Sequence, residues 1–126
     1  MPIRYAIQDQ TLIISATGHY DITDIARAVD AAITSPQFKP GIRLLLDWRA
    51  SREAPRTSEL PARWASLAAI KSLFAPQVAF VASNPADLER GRMFANFVRP
   101  HGFVVEVFTD TDEAQGWLDS HSDAGP

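Results

Sequence analysis

QVAFVAS, residues 77–83, is an apolar run that leads straight into Asn84-Pro85 and a helix-like stretch. His101-Gly102 then turns the chain into a second run, FVVEVF at 103–108, and TDTDEAQGWL follows at 109–118. Asn84 is a capping residue, and Pro85 falls where a missing N–H costs a helix nothing. A strand, a helix, a strand and a helix in succession predict β-α-β-α units on a parallel sheet. The spacing places the first helix from Pro85 to about Val98, with Leu88, Phe94, Phe97 and Val98 as its apolar residues. It places a short last helix with Ala114, Trp117 and Leu118 inward, capped by Thr111 or Asp112.

Working towards the N-terminus, IRLLLDW at 42–48 is apolar on both faces at Leu44, Leu45 and Leu46. A strand that does not alternate is buried on both sides, as in parallel sheets. Either helices cover both faces, or a second subunit covers one. Residues 3–9 do alternate, and Asp9-Gln10 links them tightly to TLIISATG, so the chain begins with a hairpin. Asp21 or Thr23 caps a helix carrying Ile22, Ile25, Ala26, Val29, Ala32 and Ile33 at helical spacing. Residues 49–57 read as a polar loop. Ser58 then caps a further helix with Leu60, Trp64, Leu67, Ile70 and Phe74 as its buried stripe, and Ala75-Pro76 ends it. The expected class is α/β: one domain over residues 1–120 with a five-stranded, mostly parallel mixed sheet, and a flexible tail at 121–126.

The chain has 126 residues, no cysteine and a net charge of −3. At this length about two-thirds of the unfolded surface can be buried, so no disulfide or metal is needed for folding. The lack of cysteine excludes thiol nucleophiles and Cys-containing zinc sites. The charge argues against general nucleic-acid binding. No apolar run approaches the ~20 residues of a membrane span, and MPIRYAIQDQ has no signal-peptide pattern. A cytoplasmic location is expected.

The order β-β-α-β-α-β-α-β-α carries three local marks. Asn84-Pro85-Ala86-Asp87-Leu88 opens a helix, Arg92-Met93-Phe94 lies within it, and Val107-Phe108 precedes Glu113-Ala114 and Trp117-Leu118. Together these resemble the SpoIIAA-like proteins of the STAS superfamily, over about residues 3–119. The fold is also similar to that of the CRAL-TRIO lipid-transfer domain. The first resemblance implies a single α/β domain and, in the regulatory members, a phosphorylatable Ser or Thr soon after an Asp. Here Asp47 ends the third strand, Trp48-Arg49-Ala50-Ser51 follows, and Ser58 holds the capping position after a longer loop.

The candidate residues cluster at strand ends. Asp47, Trp48 and Arg49 close a central parallel strand, the edge where open α/β sheets bind ligands. Arg52 and Arg56 extend the basic stretch and could take an anion or an acidic partner. His19 and Tyr20 end the preceding strand, and His19 with Asp21 could form an acid–base pair. Ser58 is a candidate phosphorylation site, since a phosphate there would meet free helix N–H groups. The three histidines have no ligand spacing, so no metal is expected. No cofactor motif is present. The leading expectation is a non-enzymatic binding or regulatory module that contacts a protein partner and can form a homodimer. The alternatives are a carrier of an anion or a lipid-like ligand, and a hydrolase-type enzyme using His19 and Asp21.

Overall fold

The computed structural model describes residues 3–18, 22–51 and 71–120. Five strands form one sheet in the order β1-β2-β3-β4-β5. They are β1 (Ile3–Gln8), β2 (Thr11–Gly18), β3 (Ile42–Ser51), β4 (Phe74–Val81) and β5 (Val104–Phe108). β1 pairs antiparallel with β2, and the later pairs are parallel. The described helices are α1 (Ile22–Ile33), α2 (Pro85–Val98) and α3 (Thr111–Ser120). The helix expected after Ser58 lies outside the described residues, apart from its end.

A sheet laid down in sequential order, with right-handed crossovers, places successive helices on one face. Ala28 and Ala32 of α1 and Ala95 and Val98 of α2 accordingly share one core with Leu12, Ile14, Leu44, Trp48, Val78 and Phe80. α3 follows the last strand and crosses to the opposite face. There Ala114 and Leu118 bury Leu45, Ala79 and Val81. This explains the two-sided apolar strands: helices of this same chain cover both faces of the sheet centre. α2 lies very close to β4, because a Cβ at Gly91 would stand 2.6 Å from Cδ1 of Phe80. No helix among the described residues is long and apolar enough to cross a membrane.

Three boundaries differ from the sequence expectation, each for a local reason. β3 runs on to Ser51, so Arg49 and Ala50 are strand rather than loop. Phe74 is not on a helix. Lys71–Leu73 form a single 3-10 turn, and Phe74 starts β4 opposite Ile42. Between Ile42/Phe74 and Leu44/Val78 the register shifts, and that irregularity takes up Ala75-Pro76-Gln77. A proline has no ladder N–H to give, so a bulge is where a strand tolerates it. The last helix begins at Thr111, and its cap is Asp110, whose Oδ1 accepts the Asp112 N–H at 3.3 Å.

The β1–β2 turn falls at Asp9-Gln10, as the sequence reading placed it. Asp9 and Gln10 both have positive φ, at 50° and 66°. Two such residues in a two-residue loop make a type I′ turn, which matches the twist of the flanking strands. Neither is glycine, and Gln10 gains nothing from the left-handed conformation. Gln10→Gly is expected to stabilise the protein by about 0.5–1 kcal/mol, as relief of strain exceeds the added unfolded-state entropy. A urea midpoint equal to or below that of the parent would show that the turn is held at no cost.

Candidate functional site

The parallel strands end together at one edge of the sheet, and β3 changes direction there. Ser15 pairs with Asp47 and Thr17 with Ala50, so Trp48 and Arg49 together oppose Ala16. This is a β-bulge, which adds a residue to one strand and re-aims its side chains. Trp48 turns into the core, 2% exposed, with its ring 5.8 Å from that of Phe80. Arg49 stays outside, with its side chain 46% exposed.

Arg49 folds back on Asp47 as a two-pronged pair. Its Nε donates to Oδ1 and its Nη2 to Oδ2, each at 2.9 Å. The Arg49 backbone N–H also donates to Oδ1, at 3.2 Å. Burial alone would raise the Asp47 carboxyl, but the side-chain bond, the backbone bond and the charge of Arg49 together hold it below its ordinary value. The Asp47 bond pushes the Arg49 guanidinium up, slight burial opposes this, and the charges of Asp47, Asp110 and Asp112 add to the rise. The two aspartates bring the start of α3 into the electrostatic field of this edge.

Ser83 closes the other side, its Oγ donating to the Arg49 carbonyl at 3.1 Å. Asn84 and Asp87 then start α2 reciprocally. The Asp87 N–H donates to Asn84 Oδ1 at 2.8 Å, and Asn84 Nδ2 donates to Asp87 Oδ2 at 2.7 Å. A carboxylate at the third helical position is favoured by the dipole, which accounts for Asp87 at 3% exposure.

Ser15, Ala16, Thr17, Asp47, Arg49 and Ala50 line a depression of about 250 Å³. Of the candidates from the sequence, Asp47 and Arg49 meet at this edge, and Trp48 supports them from below. His19, Tyr20, Asp21, Arg52, Arg56 and Ser58 lie outside the described residues. Sequence reasoning missed Ser15, Thr17, Ser83, Asp110 and Asp112. Their common signal is position at the C-terminal end of a parallel strand or just after it. Among the described residues no group of three or more His, Asp or Glu side chains could hold a metal ion.

The pair makes stability depend on acid pH. A carboxyl lowered in the folded state contributes fully above its unfolded pKa of about 3.9, and that contribution is lost as pH falls through the folded value. With Arg49 half exposed, the pair is worth at most about 1 kcal/mol. Asp47→Asn should therefore reduce stability at neutral pH and match the parent in strong acid. Urea melts of the two proteins at both pH values measure this, and a constant gap would exclude the linkage.

Strand order and the helices on both faces define a SpoIIAA-like α/β domain, the class that the sequence resemblance implied. The chain is similar to the crystal structure of an uncharacterized protein of the DUF3478 family with a SpoIIAA-like fold from Shewanella loihica PV-4. The TM-score is 0.62 with 17% identity, over 92% of this chain and 91% of that one. No family model matches the sequence, and no curated protein matches it.

Proposed function

We propose that this chain is a non-enzymatic cytoplasmic binding module that contacts a partner protein through the strand-end surface around Asp47 and Arg49. The observation that carries this reading is the exposed, two-pronged pair at the rim of a small depression. Ligand pockets run to about 300–1,000 Å³ and enclose most of their ligand; the depression here is about 250 Å³. An anion at Arg49 would have to share a guanidinium that Asp47 already neutralises and meet the field of Asp110 and Asp112. That weighs against an anion carrier at this edge. A half-exposed Arg on a preformed frame is instead the kind of residue that anchors protein interfaces. Arg52, Arg56, His19 and Tyr20 would extend the same surface, and Ser58 would be its point of regulation by phosphorylation.

The test is site-specific photocrosslinking in the native host, with a photoreactive amino acid at Ala50 or Thr17. A discrete crosslinked protein from either position, abolished by Arg49→Glu, supports the reading. A retained small molecule by native mass spectrometry, with no protein adduct from either position, would replace it with the carrier.

A further inference from the structure

We propose that β1 is a self-docking edge, on which a second copy of this chain adds its own β1 antiparallel to continue the sheet. The type I′ turn at Asp9-Gln10 makes Gln8 and Thr11 a pair that exchanges both main-chain bonds, and such pairs alternate along a hairpin. Ala6 and Arg4 therefore bond inward to β2, in the observed register with Ile13 and Ser15. Ile3, Tyr5 and Ile7 turn their N–H and C=O groups to the outer edge, where the sheet order of the described residues ends.

Natural edge strands are usually blunted by proline, a bulge or a central charge. β1 has none of these. IRYAIQ contains no proline, its pairing with β2 runs without a shift from Ile3 to Gln8, and Arg4 is its one charged residue. Tyr5 is 39% exposed although it lies in one row with Ile3 and Ile7, opposite the buried Ile14. The opposite edge is different. β5 carries Glu106 at its centre, and self-pairing centred on that residue would set Glu106 against Glu106, which is destabilising.

Symmetry then restricts the register. A two-fold axis normal to the sheet keeps opposed residues on one face, so paired numbers must sum to an even value. Centring on Tyr5 pairs Tyr5 with its own copy and Ile3 with Ile7 on both sides. Arg4 meets Ala6, and no like charges are directly opposed. Each of Ile3, Tyr5 and Ile7 exchanges both of its outward bonds in this register alone among those centred within β1. The contact is isologous and closes as a dimer.

The chain has no cysteine, so Tyr5→Cys introduces a unique thiol. Hydrogen-bonded antiparallel pairs hold Cα atoms about 5.5 Å apart, within the range a disulfide spans. Under mild oxidation, Tyr5→Cys should form a covalent dimer of twice the 13.9 kDa chain mass, and Gln8→Cys should not. Tyr5→Pro removes only an outward N–H, so light scattering should give the mass of one chain with an unchanged circular dichroism spectrum. Tyr5→Lys is a second probe that makes no demand on the backbone. A parent protein that is monomeric at its highest soluble concentration would overturn the proposal. So would a dimer indifferent to Tyr5→Pro and Tyr5→Lys, or assembly into open-ended oligomers.

Discussion

Trp48→Ala is expected to lower the unfolding free energy by about 3–5 kcal/mol, the range for a large buried aromatic truncated to alanine. Trp48 is the largest fully buried side chain among the described residues. Its ring leans on Phe80 at 5.8 Å and 33°. Phe80 in turn fills the space that the missing side chain of Gly91 leaves under α2. Neither neighbour can move far to fill the hole. Phe80 is held against Gly91 of α2, and β3 is fixed by its pairing with β2 and β4. Trp48→Phe should recover most of the loss, because offset ring packing survives while only part of the volume goes. Guanidinium melts of the two variants test this. A loss below about 1 kcal/mol for the alanine variant would mean the site collapses without strain, against the packing described. The same substitution bears on function, since the bulge sends Trp48 inward and Arg49 outward at consecutive positions. Trp48→Ala should therefore loosen the Asp47–Arg49 pair as well as the core.

Which parts of this molecule were legible in its sequence follows from the range of the interactions involved. Asn84-Pro85 announced α2 because a cap and a first-turn proline act locally, and both are where they were expected. The non-alternating Leu44-Leu45-Leu46 announced burial on two faces, which α3 supplies. The start of β4 was not legible. Phe74 continues the helical spacing of Leu67 and Ile70, and its strand pairing with Ile42 is a contact across the sheet that no local pattern records. The Asp9-Gln10 turn was legible as a tight link but not in its type, because it lacks the glycine that marks such turns. At the candidate site, strand-end position pointed to Asp47 and Arg49. Their mutual pairing depends on the bulge opposite Ala16, and a bulge is set by the neighbouring strand.

Arg43 is the clearest case of a role invisible to local reading, and Arg43→Ala is expected to cost about 2–3 kcal/mol. In the sequence it is one basic residue in an apolar run. In the fold its side chain is only 11% exposed and joins three elements that are far apart along the chain. Nη2 donates to the Asp9 carbonyl and Nε to that of Gln10, while Nη1 donates to the Leu118 carbonyl and, at 2.9 Å, to Asp119 Oδ1. It thus holds the left-handed turn in place and caps the last turn of α3, where a cation suits the helix dipole. Gln115 adds to the same junction, its Nε2 donating to the buried Thr11 hydroxyl at 3.1 Å. The carbonyl bonds should dominate, because Asp119 is 57% exposed and an exposed partner contributes at most about 1 kcal/mol. Asp119→Ala should therefore cost far less than Arg43→Ala. Arg43→Lys should not rescue, since one ammonium cannot reach carbonyls on both sides as the planar fork does. Urea unfolding ranks the three variants, and hydrogen exchange of the α3 amides should show that helix opening first in Arg43→Ala. Equal losses for Arg43→Ala and Asp119→Ala would reduce the junction to a surface ion pair and leave α3 held by its apolar contacts and the Gln115–Thr11 bond.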